Sequence, residues 1–293
     1  MSRRAAVFLV LLSAVGFGSM ALFAKLAYAE GVGTDMLLAW RFVLATAFLA
    51  PLVWWQRIPL PRGRTLAGFI LMGALYTAQA QSFFTALRHA SSGLVGLLLY
   101  AYPVLVALLA AALGWERLDR RTMVLLAAAV GGLCVMLGGR LEGEPIGIAF
   151  GLLAAAIYAV YILLGGKLTA GVHPLSATLA VLGSAAVFNG MLAAGSGDAL
   201  PQGAPAWLAI VAIALFSTVL AIGCFLAGIK HVGPAQASII STFEPIVTLV
   251  LGVALLRESV SASQLAGGAL VLGAVILLAR RTPPRPLREA RAH

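Results

Sequence analysis

Ten runs of apolar residues succeed one another along the chain, at 5–28, 36–55, 65–87, 94–114, 122–139, 146–166, 175–195, 206–229, 235–256 and 262–279. A helix that crosses the hydrocarbon core needs about 20 mostly apolar residues, within a range of about 17–25. Each run is of that order, so the pattern predicts ten transmembrane helices. Turn-formers and charges fill the gaps, as in Arg57 to Arg64, Trp115 to Arg121, Arg140 to Pro145 and Ser196 to Pro205. Most gaps are short, which makes consecutive helices antiparallel neighbours. The first run follows Arg3-Arg4 as a secretory signal would, but it outlasts the 7–15 residues of such a segment and is read as a retained span.

Composition supports the same picture. Of 293 residues, 61% are hydrophobic and 10% charged, with a mean hydropathy of +1.01. A soluble domain carries about a quarter charged residues, and this chain has too few to solvate a water-facing surface of its size. The net charge of +10 arises from 20 Lys+Arg against 10 Asp+Glu. These basic residues sit between apolar runs and are not interleaved with stacking aromatics, so they serve as topology signals and exclude nucleic acid as the partner. With the N-terminus cytoplasmic, only Lys25, Arg88, Arg140 and Arg257 fall on the outer side, and Arg41 lies within a span. The remaining basic residues fall inside, so both termini are expected to be cytoplasmic. Residues 282–293 form a Pro- and Arg-rich tail with no apolar face to bury, expected to be disordered and to meet anionic headgroups. Cys134 and Cys224 lie within apolar runs and show no metal-binding spacing.

An internal repeat organises the spans. His89 matches His231, Pro103 matches Pro245 and Glu116 matches Glu258, each pair 142 positions apart. The same shift sets Lys25-Leu26 on Lys167-Leu168 and Gly131 on Gly273. It advances the chain by five spans. Five is odd, so helix n and helix n+5 cross in opposite directions. The expected fold is therefore all-α and polytopic, two inverted-topology five-helix repeats at 1–140 and 141–281. Two similar halves of opposite orientation can exchange conformations and expose one site to either side, the logic of secondary carriers.

The residues also carry a family resemblance. Phe84-Thr85-Ala86-Leu87 through Pro103 to Glu116-Arg117 resembles the first half of the EamA family in the drug/metabolite transporter superfamily. Ala237 to Pro245, through Glu258 to the Gly-rich last span, resembles the second half. The resemblance implies export or exchange of small metabolites, often amino acids or related compounds, in a bacterial inner membrane, with protons or another gradient as the coupling ion. It implies no cofactor.

Candidate chemistry centres on few residues. Glu244 lies near the middle of the ninth span, where an ionised carboxylate costs at least about 2.5 kcal/mol. Its repeat mate is Tyr102, so the repeat itself does not require an acid there. It either binds a cationic substrate group or a proton, or pairs structurally with a neighbouring helix. Arg41 lies about two turns into the second span, where it either recognises a carboxylate or phosphate or snorkels to headgroups. Facing one cavity, the two would flank a zwitterion such as an amino acid. Pro103 and Pro245 interrupt the fourth and ninth spans and free the carbonyls of Leu99 and Ser241, as in the broken helices that line carrier sites. Tyr76, Gln79, Tyr100, Tyr102, Tyr158, Asn189, Thr218 and Ser241 complete the substrate-binding candidates, with Gln81, Tyr161, Ser217, Ser238 and Thr242 at comparable depth. Each of these also suits plain interhelical hydrogen bonding. Spans three, four, six, eight and nine are expected to line the cavity, and spans five and ten to offer packing or homodimer faces. Glu116 and Glu258 are expected to cap the helix that follows each, Lys25 and Lys167 to snorkel, and His89 and His231 to be plain loop residues. The Gly147/Gly151 spacing suggests close helix contact. Nucleotide-binding and hydrolase motifs are missing, which leaves gradient-driven transport or passive exchange; an intramembrane lipid enzyme and a channel are the alternatives.

Overall fold

The computed structural model describes residues 2–114, 120–137, 143–168, 171–232, 240–241 and 243–279. Among these residues the regular structure is helical, apart from a single bridge between Ala90 and Gly143. Local chemistry sets the helix ends. Ser2 accepts from the Ala5 N–H and Ser91 from the Leu94 N–H, each at 3.3 Å. His173 does the same for Leu175, ahead of Pro174 at the start of the seventh span. Gly197 stops that helix with a left-handed φ of 74°.

The second, third, sixth and seventh spans are unbroken helices, Thr34–Trp55, Gly63–His89, Pro145–Leu168 and Pro174–Ser196. The fifth and tenth are Arg120–Leu137 and Ala262–Ala279. Others expected as single segments are interrupted. The first divides into Arg3–Gly18 and Met20–Ala29, where the Ser19 hydroxyl bonds the Gly16 carbonyl at 2.8 Å between small residues. The fourth divides into Ser92–Leu99 and Tyr102–Ala112, with Pro103 in the first turn of the second piece, where its missing N–H leaves no helical bond unmade. The ninth span's helix Glu244–Leu256 likewise carries Pro245 in its first turn. The eighth passes from Gly203–Ala214 through a π-helical stretch, Leu215–Leu220, into Ala221–Val232. There the Thr218 hydroxyl bonds the Ile213 carbonyl five residues back.

The two halves interlock. The first span packs on the eighth and the third on the sixth; the second meets the seventh, the fourth the ninth and the fifth the tenth. Replacing each span by its mate five positions on leaves this set unchanged, as two repeats related by an exchange axis require. The polarity runs as lipid demands. Val187, Met191 and Leu208 are exposed, and Trp54 and Trp55 stand at the end of the second span, 85% and 81% exposed. The buried positions are rich in alanine, and glycines let backbones approach. A Cβ at Gly228 would stand 2.5 Å from Val10 Cγ2, and one at Gly132 would stand 2.8 Å from the Gly267 carbonyl. Gly147 and Gly151 bring the sixth span against His89 and Leu98 in the same way.

Candidate functional site

Broken and unbroken spans together surround a cavity of about 250 Å³, just below the usual size of small-molecule sites. Phe17, Met20 and Ala21 enter from the first span, Arg41 from the second and Tyr158 from the sixth. Tyr76, Gln79, Ala80, Phe83 and Phe84 come from the third span, and Gly96, Leu99, Tyr100 and Tyr102 from the fourth. Phe225 of the eighth span and Ser241, Glu244, Pro245 and Thr248 of the ninth close the wall.

Arg41 does not reach for headgroups. It is 1% exposed, with Nε donating to Thr218 Oγ1 at 3.2 Å and Nη2 to the Tyr76 hydroxyl at 3.3 Å. Its guanidinium lies 4.8 Å from the Phe42 ring centroid and 5.2 Å from that of Phe84. It forms no ion pair among the described residues, and Nη1 bonds none of them. A desolvated cation with no counter-charge is costly unless an anion visits it.

Glu244 holds the opposite end. Pro245 has no N–H, so the carbonyl of Ser241 loses its helical donor. The Tyr100 hydroxyl takes that place, lying 2.8 Å from Ser241 O and 3.1 Å from Glu244 Oε2. One phenol thus spans a freed carbonyl and a carboxylate across the fourth and ninth spans. Thr248 Oγ1 stands 3.0 Å from the Gly18 carbonyl at the break of the first span.

Aromatic rings join the two charges. Centroids are 5.3 Å apart for Phe42 and Tyr76, 5.6 Å for Tyr76 and Tyr161, and 5.9 Å for Tyr161 and Tyr158. The series continues at 4.8 Å to Tyr102 and 6.0 Å to Tyr100. Five of the chain's six tyrosines form this arch.

The structure therefore gathers Arg41, Tyr76, Gln79, Tyr100, Tyr102, Tyr158, Ser241 and Glu244 around one cavity, beside the breaks at Pro103 and Pro245. Thr218 and Asn189 stand behind its wall. Thr218 aims Arg41. Asn189 is fully buried and donates to Thr77 Oγ1 at 3.0 Å, while Gln81 bridges Asn189 and Asp35. Sequence reasoning missed the first span and Thr248, because Phe17, Met20 and Ala21 look like ordinary apolar residues. The run Gly16-Phe17-Gly18-Ser19 was the available signal.

Three junction residues also depart from expectation. Glu258 caps a helix, but it is the fourth span and not the tenth. Its carboxylate accepts from the Ser92 N–H at 2.9 and 3.1 Å and from Ser92 Oγ at 2.5 Å. Lys25 does not snorkel; its Nζ is 3.3 Å from Glu258 Oε1 and donates to the Ala90 carbonyl at 3.0 Å. His89 Nδ1 lies 2.8 Å from Glu144 Oε2. Glu116, Ser238, Thr242 and the tail lie outside the described residues, as do the side chains of Pro103, Lys167 and His231. No group of three metal-ligating side chains occurs among the described residues.

Comparison with known proteins agrees with this architecture. Residues 4–138 and 145–280 each match the EamA-like transporter family. An uncharacterized transporter of Archaeoglobus fulgidus is 29% identical over 270 residues, covering 92% of this chain and 94% of that protein. The uncharacterized inner membrane transporter YedA of Escherichia coli K12 is 24% identical over 242 residues, covering 81% and 79%. A crystal structure at 22% identity superposes with a TM-score of 0.67 over 96% of this chain and 99% of its own, a likeness of fold. With a family match in each half, ten spans in two interlocked repeats and a cavity at their crossing, this chain belongs to the EamA-like transporter family.

Proposed function

We propose that this chain is a secondary carrier that exports a small zwitterion of the amino-acid class by alternating access, its two inverted halves at 1–140 and 141–281 rocking about the cavity. One observation carries the reading: Arg41 and Glu244, unpaired with any charge among the described residues, line one small cavity joined by tyrosines. A carboxylate suits the guanidinium fork, and an ammonium suits Glu244 with the π faces around it. Glu244 also offers a place for a coupling proton in the empty state. The name of the Escherichia coli relative supports the inner membrane as the location, and the basic loops support cytoplasmic termini.

Counterflow in proteoliposomes against an amino-acid panel, at two internal pH values, tests this. Saturable uptake with trans-stimulation is expected, abolished in Arg41→Ala and Glu244→Ala while both variants remain at normal abundance. Flux that never saturates would favour a channel, and transport unchanged in both variants would remove the site.

A further inference from the structure

We infer that Lys25, Glu258 and Ser92 form the gate that closes the cavity at one end, and that the carrier without substrate rests with this gate shut. The inference builds on the alternating-access reading above.

The cluster ties three places that a moving carrier must separate. Lys25 lies at the end of the first span, Ser92 at the start of the fourth and Glu258 just past the ninth. Glu258 holds both others at once, through Lys25 Nζ at 3.3 Å and three contacts from Ser92 of 2.5 to 3.1 Å. These are charge-assisted bonds, the stronger kind, and the two side chains are only 25% and 12% exposed. The end of the ninth span's helix sets Glu258 within reach of both Lys25 and Ser92. Arg257 adopts a left-handed φ of 55°, unusual for a residue with a side chain. The Glu258 N–H thereby returns to the Gly252 carbonyl at 3.1 Å.

Below the cluster the fourth and ninth spans are closed down to the cavity. A Cβ at Gly252 would stand 2.5 Å from Glu258 Oε2 and 2.6 Å from Ser92 Oγ. One at Gly93 would stand 2.7 Å from Leu249 Cδ1, and one at Gly96 would be 3.3 Å from Thr248 Cγ2. Gly96 and Thr248 already line the cavity. The seam therefore runs without a gap from the cavity wall to the salt bridge.

The repeat makes the two ends unequal. Shifted by 142 positions, Gly93 and Gly96 correspond to Ala235 and Ser238, Gly252 to Ala110, and Ser92 to Pro234. Proline has neither the N–H nor the hydroxyl that Ser92 gives Glu258. The glycines that permit close approach are replaced by residues with a Cβ. Lys25 and Glu258 keep mates of their own type in Lys167 and Glu116, so what the matching positions lack is the pair of Ser92 donors and the glycine space that let this end close. With the N-terminus cytoplasmic, the sealed end is the outer one, and the resting carrier faces the cytoplasm, as an exporter must to load.

Ser92→Pro tests this well, because Pro is favoured in a helix's first turn and Ser91 already has extended angles of −64° and 149°. Gly252→Ala is the second variant, breaking the seam from the other side. Both go into full-length protein carrying Cys134→Ser and Cys224→Ala, with Ala80→Cys as reporter in the cavity wall. A membrane-impermeant methanethiosulfonate is added from the outer side without substrate. Slow labelling is expected with the gate intact, rising about tenfold in each variant as charge-assisted bonds are lost. Labelling that is already fast before either change, or that neither change accelerates, overturns the gate. No substrate is present, so this failure is separate from a failure of counterflow, which would strike at the carrier reading.

Discussion

Arg41 and Glu244 were legible in the sequence because a charge inside an apolar run is expensive and stands out against its neighbours. Their surroundings were not. Arg41 is fixed by Thr218, a residue 177 positions away, and nothing along the chain announces that partnership. The geometry makes a specific claim about the side chain type. Lysine would keep the charge but has no fork with which to hold Thr218 and Tyr76 and still address a carboxylate. Arg41→Lys is therefore expected to weaken substrate binding by about tenfold or more, or roughly 1.4 kcal/mol. The measurement is the KM of saturable uptake at normal protein abundance, and an unchanged KM would refute the fork's role. The first-span residues of the cavity stayed hidden for the opposite reason: Phe17 or Ala21 in an apolar run is indistinguishable from lipid-facing or core residues.

At the level of elements, hydrophobic periodicity located spans but not their interruptions. Pro103 and Pro245 marked two breaks, because the missing N–H is written in the residue itself. The break at Ser19 and the π-helical turn at Thr218 depend on side-chain hydroxyls choosing backbone carbonyls, a choice that packing makes. Glycine shows the same dependence. Gly228 brings the first and eighth spans together, whereas Gly190 has open space around it. Gly228→Leu is expected to cost about 1–3 kcal/mol through overpacking, read as a lower melting temperature in detergent. Gly190→Ala should leave the melting temperature unchanged or slightly raised, since alanine is the better helix former. Equal melting temperatures for Gly228→Leu and the parent chain would count against the close contact.

For the whole molecule, the offset of 142 predicts that equivalent loops lie on opposite faces of the membrane. Gln56 and Asp198 are such a pair, at the ends of the second and seventh spans. Single cysteines there should react with an impermeant thiol reagent from opposite sides, Gln56→Cys from the cytoplasmic side; labelling of both from one side would end the inverted architecture. The number of spans, their antiparallel order and the twofold repeat are all determined by the sequence alone, because lipid forces each crossing to be a self-satisfied apolar helix of fixed length. Which helices meet was decided only in three dimensions. The capping of the fourth span by Glu258, the ion pair with Lys25 and the tyrosine arch from Arg41 to Glu244 join residues from distant parts of the chain. Such contacts depend on how the halves interlock, and interlocking is a property of surfaces that no single stretch of sequence contains.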